Sequence, residues 1–166
     1  MKIAVALGSN LGDKLANLKL AAAALQSLSR KPIRKSAVYE SSPVNCPPNS
    51  PTFLNAVVEW EADDGLSPHE LLKKLQSIER KLGRRPKQVL NEPRPIDLDL
   101  ICCGSWKVNA ADLTLPHPRA HQRRFVLQPL CDLSPDLVLP NQTKTVRELL
   151  AVLPDDESVR LFAASW

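Results

Sequence analysis

An α+β fold, with helices packed on an antiparallel sheet, is predicted from three features of this sequence. Short apolar or alternating runs are interleaved with amphipathic stretches in the order strand, helix, strand, strand, helix, strand. The two middle strands flank one proline-rich loop, which makes them antiparallel neighbours. The second amphipathic stretch opens on a capping box and ends at a glycine, so local chemistry sets its boundaries. This order fits a ferredoxin-like βαββαβ core followed by C-terminal helical and strand additions.

Residues 2–7, Lys-Ile-Ala-Val-Ala-Leu, read as a short buried strand. Gly8-Ser9-Asn10-Leu11-Gly12 then turns the chain into a helix capped by Asn10 or Asp13, with Leu15, Leu18, Ala22 and Leu25 on its apolar face. The segment from Gly8 to Lys14 lacks the G-x-x-x-x-G-K-[ST] spacing of a phosphate loop, so its glycines read as a tight strand-to-helix turn, with a ligand wall as the lesser reading. Ile33 to Ser42 is the second strand, and residues 43–51 hold too many prolines for regular structure. Phe53 to Ala62 is the third, with Leu54, Ala56, Val58 and Trp60 on one face and Phe53, Asn55 and Val57 on the other. In the next helix Ser67 is the N-cap, Pro68 takes the first position, Glu70 closes the capping box and Gly83 ends it. Its buried stripe is Leu71, Leu72, Leu75, Ile78 and Leu82. Farther on, Trp106-Lys107-Val108 reads as a hairpin partner, residues 113–118 as extended, and His121 to Leu133 as helical. Thr145 opens a last short helix to Leu153, and Val159 to Phe162 adds an edge strand.

With 166 residues the chain is expected to form one domain over 1–166 with a real hydrophobic core. A net charge of +4 suits an anionic ligand but is too mild to demand nucleic acid. No apolar run approaches the length of a membrane span, and the apolar N-terminal run is too short for a signal peptide, so a cytoplasmic location is expected. Cys46, Cys102, Cys103 and Cys131 form no C-x-x-C, which favours reduced thiols over zinc ligands or disulfides.

The stretch from Gly83 to Asp99 asks for a functional explanation. A basic loop (Arg84, Arg85, Lys87) leads through Pro93-Arg94-Pro95 into an alternating strand, Ile96 to Leu100. Each proline biases its predecessor toward extended backbone. Alternation sends Ile96, Leu98 and Leu100 one way and Asp97 and Asp99 the other, the two acids roughly 7 Å apart at Cα. Like charges so placed call for a cation between them, and Mg²⁺ is usually held by one or two carboxylates plus substrate phosphates. The plainer reading is a solvated acidic edge paired to nearby arginines; the four cations upstream favour the metal–phosphate one. Asn55 is out of place in a strand: either its amide offers a donor and an acceptor to a planar heterocycle beside Phe53, or it bonds a nearby loop backbone. His117 is either a proline-locked surface histidine or converges with Arg123 on an anion, with Phe125 as a second aromatic face.

Gly8-Ser9-Asn10-Leu11, Phe53-Leu54-Asn55-Ala56, Leu82-Gly83-Arg84, Pro93-Arg94-Pro95-Ile96-Asp97-Leu98-Asp99-Leu100, Leu115-Pro116-His117-Pro118 and Arg123-Arg124-Phe125-Val126 occur in that order. This succession resembles the 6-hydroxymethyl-7,8-dihydropterin pyrophosphokinase family of folate biosynthesis, over nearly all of the chain to about Pro140. The resemblance implies transfer of pyrophosphate from ATP to the hydroxymethyl group of 6-hydroxymethyl-7,8-dihydropterin, giving AMP. It implies two Mg²⁺ ions on Asp97 and Asp99, and Arg84 and Arg94 as loop arginines stabilising the transferred group. It places Ser41, Ser42, Val44, Phe53, Asn55 and Phe125 around the pterin, and Gln76, Lys87, Arg94, Leu100, Thr114, His117 and Arg123 on ATP, with Glu79 a weaker contact. The partners it implies are these two small molecules, with neither nucleic acid nor membrane, and a monomer. Pro86, Asn91, Phe53 and Pro118 depart from the family pattern. Two rivals remain on the residues alone: an RNA-binding module, disfavoured by the missing aromatic run and the two acids, and a two-metal phosphodiesterase.

Overall fold

The computed structural model describes residues 1–63, 65–154 and 158–166. The chain runs through β1 (Lys2–Ser9), α1 (Lys14–Gln26), β2 (Arg34–Lys35), β3 (Val38–Ser41), β4 (Phe53–Glu61), α2 (Pro68–Lys81) and β5 (Asp97–Cys103). A small hairpin, β6 (Val108–Asn109) and β7 (Thr114–Leu115), comes next, then α3 (Arg124–Leu133), α4 (Val146–Val152) and β8 (Val159–Ala163). The main sheet has the order β5-β1-β4-β3-β8 with every described pairing antiparallel. Strands β5, β1, β4 and β3 form the ferredoxin-like core, and β8 is the C-terminal addition beside β3.

Alternation on the strands divides the core in two. Ile3, Val5, Leu7, Leu54, Ala56, Val58, Leu98 and Leu100 meet Leu18, Ala21 and Leu25 of α1 and Leu71, Leu75 and Ile78 of α2. On the other face Ala4, Val57 and Ile101 meet Val126, Leu127 and Leu130 of α3 and Val146 and Leu149 of α4. The later helices therefore cover part of the face that a bare βαββαβ core leaves open. They stop short of the ends of β1 and β5 that carry Gly8, Asp97 and Asp99.

Several boundaries differ from the sequence expectation, and β1 runs through Gly8 to Ser9 where a turn was expected. The run from Ile33 to Ser42 is not one strand. The register is Lys35↔Val58 before the break and Tyr39↔Asn55 after it, so one residue is extra on the first strand. Ser36 supports the bulge by accepting from Val57 N at 2.8 Å through its hydroxyl and donating its own N–H to Val57 O at 2.9 Å. The strand expected over Ile96 to Leu100 begins at Asp97 and runs on to Cys103, because Ile101 and Cys102 are buried by α3 and its neighbours. The helix expected from His121 is a 3-10 turn, Ala120–Gln122, separated from α3 by an extended Arg123 (φ −111°, ψ 111°). Of the two offered caps for α1, Asp13 is the one used: its carboxylate accepts from Ala16 N at 3.1 Å.

Candidate active site

The site is built on one row of the sheet. Asp97 of β5 lies opposite Gly8 of β1, and Gly8 opposite Asn55 of β4. In the next row Asp99 lies opposite Ala6, and Ala6 opposite Val57. Both acids thus share the α3 face, as the alternation of their strand requires. They form the floor of a cavity of about 690 Å³ roofed by the 83–95 loop. Arg84, Arg85, Lys87, Arg94, Arg119 and Arg123 line it, against Glu92, Asp97 and Asp99 as the acids. Six cations around three acids give the cavity an excess of positive charge suited to a polyphosphate.

Asp97 is closely held. Arg84 Nη1 donates to Asp97 Oδ1 at 2.6 Å and also to Glu79 Oε2 on α2, while Arg94 Nη2 reaches Asp97 Oδ2 at 3.4 Å. Glu79 Oε2 accepts the Leu98 N–H at 2.9 Å, which ties α2 to the outer edge of β5. Arg94 is anchored through its main chain: its N–H donates to Asn10 Oδ1 at 2.9 Å, and its carbonyl accepts from Asn10 N at 3.2 Å. Its guanidinium lies 5.0 Å from the Phe53 ring centroid. These bonds explain how the Pro93–Pro95 hinge sets its arginine: the end of β1 grips it. Asn91, in left-handed backbone (φ 55°), donates to Asn45 O at 2.8 Å and so joins the 83–95 loop to the 43–51 loop.

The electrostatics follow from depth. Burial pushes the Asp99 carboxyl up to about 7, Asp97 and Glu79 add to the rise, and Arg123 and Arg84 oppose it. Burial likewise raises Glu79, resisted by the Leu98 N–H and by Arg84. His117 is pushed down to about 4 by burial and by Arg123 and Arg119, so it is neutral near pH 7. Its Nδ1 accepts the Arg119 N–H at 3.1 Å, which leaves the ring proton on Nε2 as a donor.

Asp97 and Asp99 are the residues that could hold a metal. Among the described residues no group of three or more His, Cys, Asp or Glu side chains gathers as a cation cage. A hard ion with two carboxylates, water and phosphate oxygens around it fits this donor set; a structural zinc does not.

The remaining candidates fall in other places. Asn55, 5% exposed, donates through Nδ2 to Ser41 Oγ at 2.7 Å and to Tyr39 O at 3.3 Å, so only its Oδ1 is left for a ligand. The amide is bound to the neighbouring strand, not to a loop backbone, and it presents an acceptor but no donor. Ser41 is buried with it, whereas Ser42 and Val44 are exposed. Phe125 lies 5.4 Å below the Arg123 guanidinium. Gln76 is exposed on α2 and does not line the cavity. Leu100 buries its side chain against α1 and α2. Because Leu98 N–H faces away from β1, the main chain of Leu100, two residues on, faces the same free edge. Thr114 and His117 line a second cavity of about 380 Å³ next to that edge. Sequence reasoning gave Arg119 no role, and it read Gly8 as part of a turn with a ligand wall as the lesser reading. Asn10 was weighed only as a helix cap, and nothing local links it to a hinge 84 residues away.

The family model for 7,8-dihydro-6-hydroxymethylpterin-pyrophosphokinase (HPPK) matches residues 4–135. The chain belongs to the HPPK family. It is 37% identical over 158 residues to the 2-amino-4-hydroxy-6-hydroxymethyldihydropteridine pyrophosphokinase of Haemophilus influenzae, a match covering 95% of this chain and 96% of that protein. It is 42% identical over 132 residues to the mitochondrial folate synthesis bifunctional protein of Pisum sativum, covering 80% of this chain and 25% of that one. The chain spans about a quarter of the length of such bifunctional relatives. Among solved structures, wild-type Plasmodium falciparum HPPK-DHPS with pteroate aligns with a TM-score of 0.69 at 14% identity, over 90% of this chain and 42% of that one. That likeness is one of fold, and it places the HPPK chain in the ferredoxin-like class. Among the described residues no helix is long and apolar enough to cross a membrane.

Proposed function

We propose that this HPPK chain acts as one domain over 1–166 and transfers pyrophosphate from ATP to the hydroxymethyl oxygen of 6-hydroxymethyl-7,8-dihydropterin, giving the pterin diphosphate and AMP. The observation that carries the reading is the row Asp97–Gly8–Asn55. Two strand spacings set its ends roughly 10 Å apart. At one end is an acidic floor under a ring of cations; at the other, a buried amide acceptor beside an aromatic ring. A flat heterocycle held at Asn55 and Phe53 points a short arm at Asp97. A triphosphate in the cation-lined cavity reaches the same place from the other side.

Each residue then has a task. Asp97 and Asp99 would hold two Mg²⁺ ions, which on binding supply charge neutralisation of the triphosphate and a lowered pKa for the attacking hydroxyl. Arg84 and Arg94, released in part from Asp97, cover the negative charge that develops on the transferred group. Neutral His117 offers its Nε2–H to the nucleotide, and Lys87, Arg119 and Arg123 hold its phosphates. Gln76, Thr114 and the Leu100 main chain face the adenine side. Such a transfer needs little covalent work from the protein; positioning and electrostatics carry it. The hydrogen bond between Asn91 and Asn45 lets the two loops move together over the site and exclude water.

Incubation with ATP, Mg²⁺ and the dihydropterin should yield AMP in equal amount to pterin diphosphate. AMP or ADP without a pterin product would point to hydrolysis and overturn the assignment. Arg94→Ala is expected to lower kcat by about 10²-fold while raising the pterin KM less. Equal losses in both would refute a transition-state role.

A further inference from the structure

Gly8 occupies the middle of the row, and nothing in the protein itself requires a glycine there. It lies inside β1 with partners on both sides, Asn55 and Asp97. It is not among the glycines of left-handed backbone, which are Gly12, Gly83 and Gly104. A Cβ built on it would rest 3.5 Å from Phe53 Cδ1, 3.8 Å from Phe53 Cε1 and 3.8 Å from Asn55 Oδ1, all ordinary contacts. Glycine weakens a strand interior, since it loses more chain entropy than alanine and packs nothing. The position therefore carries a cost that the fold does not return.

The missing methyl does have a use in front of Asn55. Both Nδ2 hydrogens are committed, to Ser41 Oγ and Tyr39 O, so Oδ1 is the atom that faces the gap. A Cβ at residue 8 would stand 3.8 Å from that oxygen and 3.5 Å from the Phe53 ring, inside the gap that a ring N–H bonded to Oδ1 at about 2.9 Å and lying flat against Phe53 would use. We infer that Gly8 is a specificity residue: its absent side chain opens the slot through which a flat ring with an N–H donor edge reaches Asn55 Oδ1 and sends its arm to Asp97. The inference rests on the proposed function and names the part of the site that admits the ring.

The test is Gly8→Ala, with Gly8→Ser as a second variant. Binding of 6-hydroxymethylpterin is measured calorimetrically in the presence of Mg²⁺ and a non-transferable ATP analogue, alongside binding of that analogue and the melting temperature. Both variants should melt at or above the wild-type temperature and bind the nucleotide normally, with pterin affinity reduced 30-fold or more. A variant that binds pterin as wild type does would overturn the role of Gly8 alone. So would a variant that melts well below wild type, because glycine would then be a requirement of the fold. A wild-type protein that binds no pterin would overturn the functional reading itself.

Discussion

Asp99→Asn is expected to abolish turnover and, in the same protein, to stabilise the ligand-free fold at neutral pH. The two effects have one cause. Asp99 is held in a deep position where its carboxyl rises to about 7 from an ordinary 3.8, chiefly through burial and then through Asp97 and Glu79. A raised carboxyl means that the native state binds the proton more tightly than the unfolded chain. The stabilisation is complete below about pH 3.8, fades as pH climbs, and is gone above about pH 7. At pH 8 the native protein therefore carries an ionised acid that its surroundings disfavour. Asparagine has the same shape and never ionises. Because the carboxylate still touches the cavity, water offsets part of the penalty, and the expected gain is about 1 kcal/mol, or roughly 2–4 °C in melting temperature. Thermal melts from pH 4 to 8 should show the variant's advantage growing up to pH 7 and then levelling. Mg²⁺ should raise the melting temperature of the wild type at pH 8 and leave the variant unmoved. Turnover should fall by at least about 10³-fold, since one of the two proposed carboxylate ligands is lost. A variant less stable than wild type at pH 8 would show that the carboxylate is already compensated in the free protein.

The same acid marks how far the sequence could be read. Its face follows from alternation alone, as does the shared face of Asp97, because a strand has only two sides. The capping box at Ser67 and the cap at Thr145 were equally legible, since each is a bond between neighbours in sequence. What was not legible depends on distant partners. The bulge at Ser36 is fixed by Val57, and the grip on Arg94 by Asn10, at separations of 21 and 84 residues. Gly8 was misplaced for a related reason: a glycine before a helix suggests a turn, and only the strand pairing shows that it sits in a ladder. For Asn55 the residue type allowed a donor and an acceptor, but Ser41 Oγ and the Tyr39 carbonyl across the strand had already taken both amide hydrogens.

Arg84→Ala should lower the stability that Asp99→Asn raises, and it should lower turnover as well. In the free protein Arg84 joins Glu79 and Asp97, with the three side chains 25%, 13% and 22% exposed. Burial works against its charge, yet Asp97 and then Glu79 raise its proton affinity above the ordinary value, so the guanidinium stays charged throughout the working range. Removing it leaves two carboxylates facing each other, with Arg94 as the remaining ion-pair partner of Asp97 among the described residues. Breaking a fully buried pair costs about 3–5 kcal/mol; with this much exposure about 2 kcal/mol is expected, or roughly 4–8 °C. The deficit should be small near pH 4, where the raised Glu79 carboxyl keeps its proton, and should grow as pH rises and that proton is lost. Mg²⁺ should recover much of it, because a divalent cation takes over the neutralisation of Asp97. Turnover should still fall by about 10²–10³-fold, since an ion on the floor of the cavity does not replace a donor aimed at the transferred group. Adding Asp97→Asn to Arg84→Ala should restore stability in metal-free buffer without restoring activity. A double variant no more stable than Arg84→Ala alone would mean that Arg84 acts by packing, and that charge on Asp97 is not what the arginine answers.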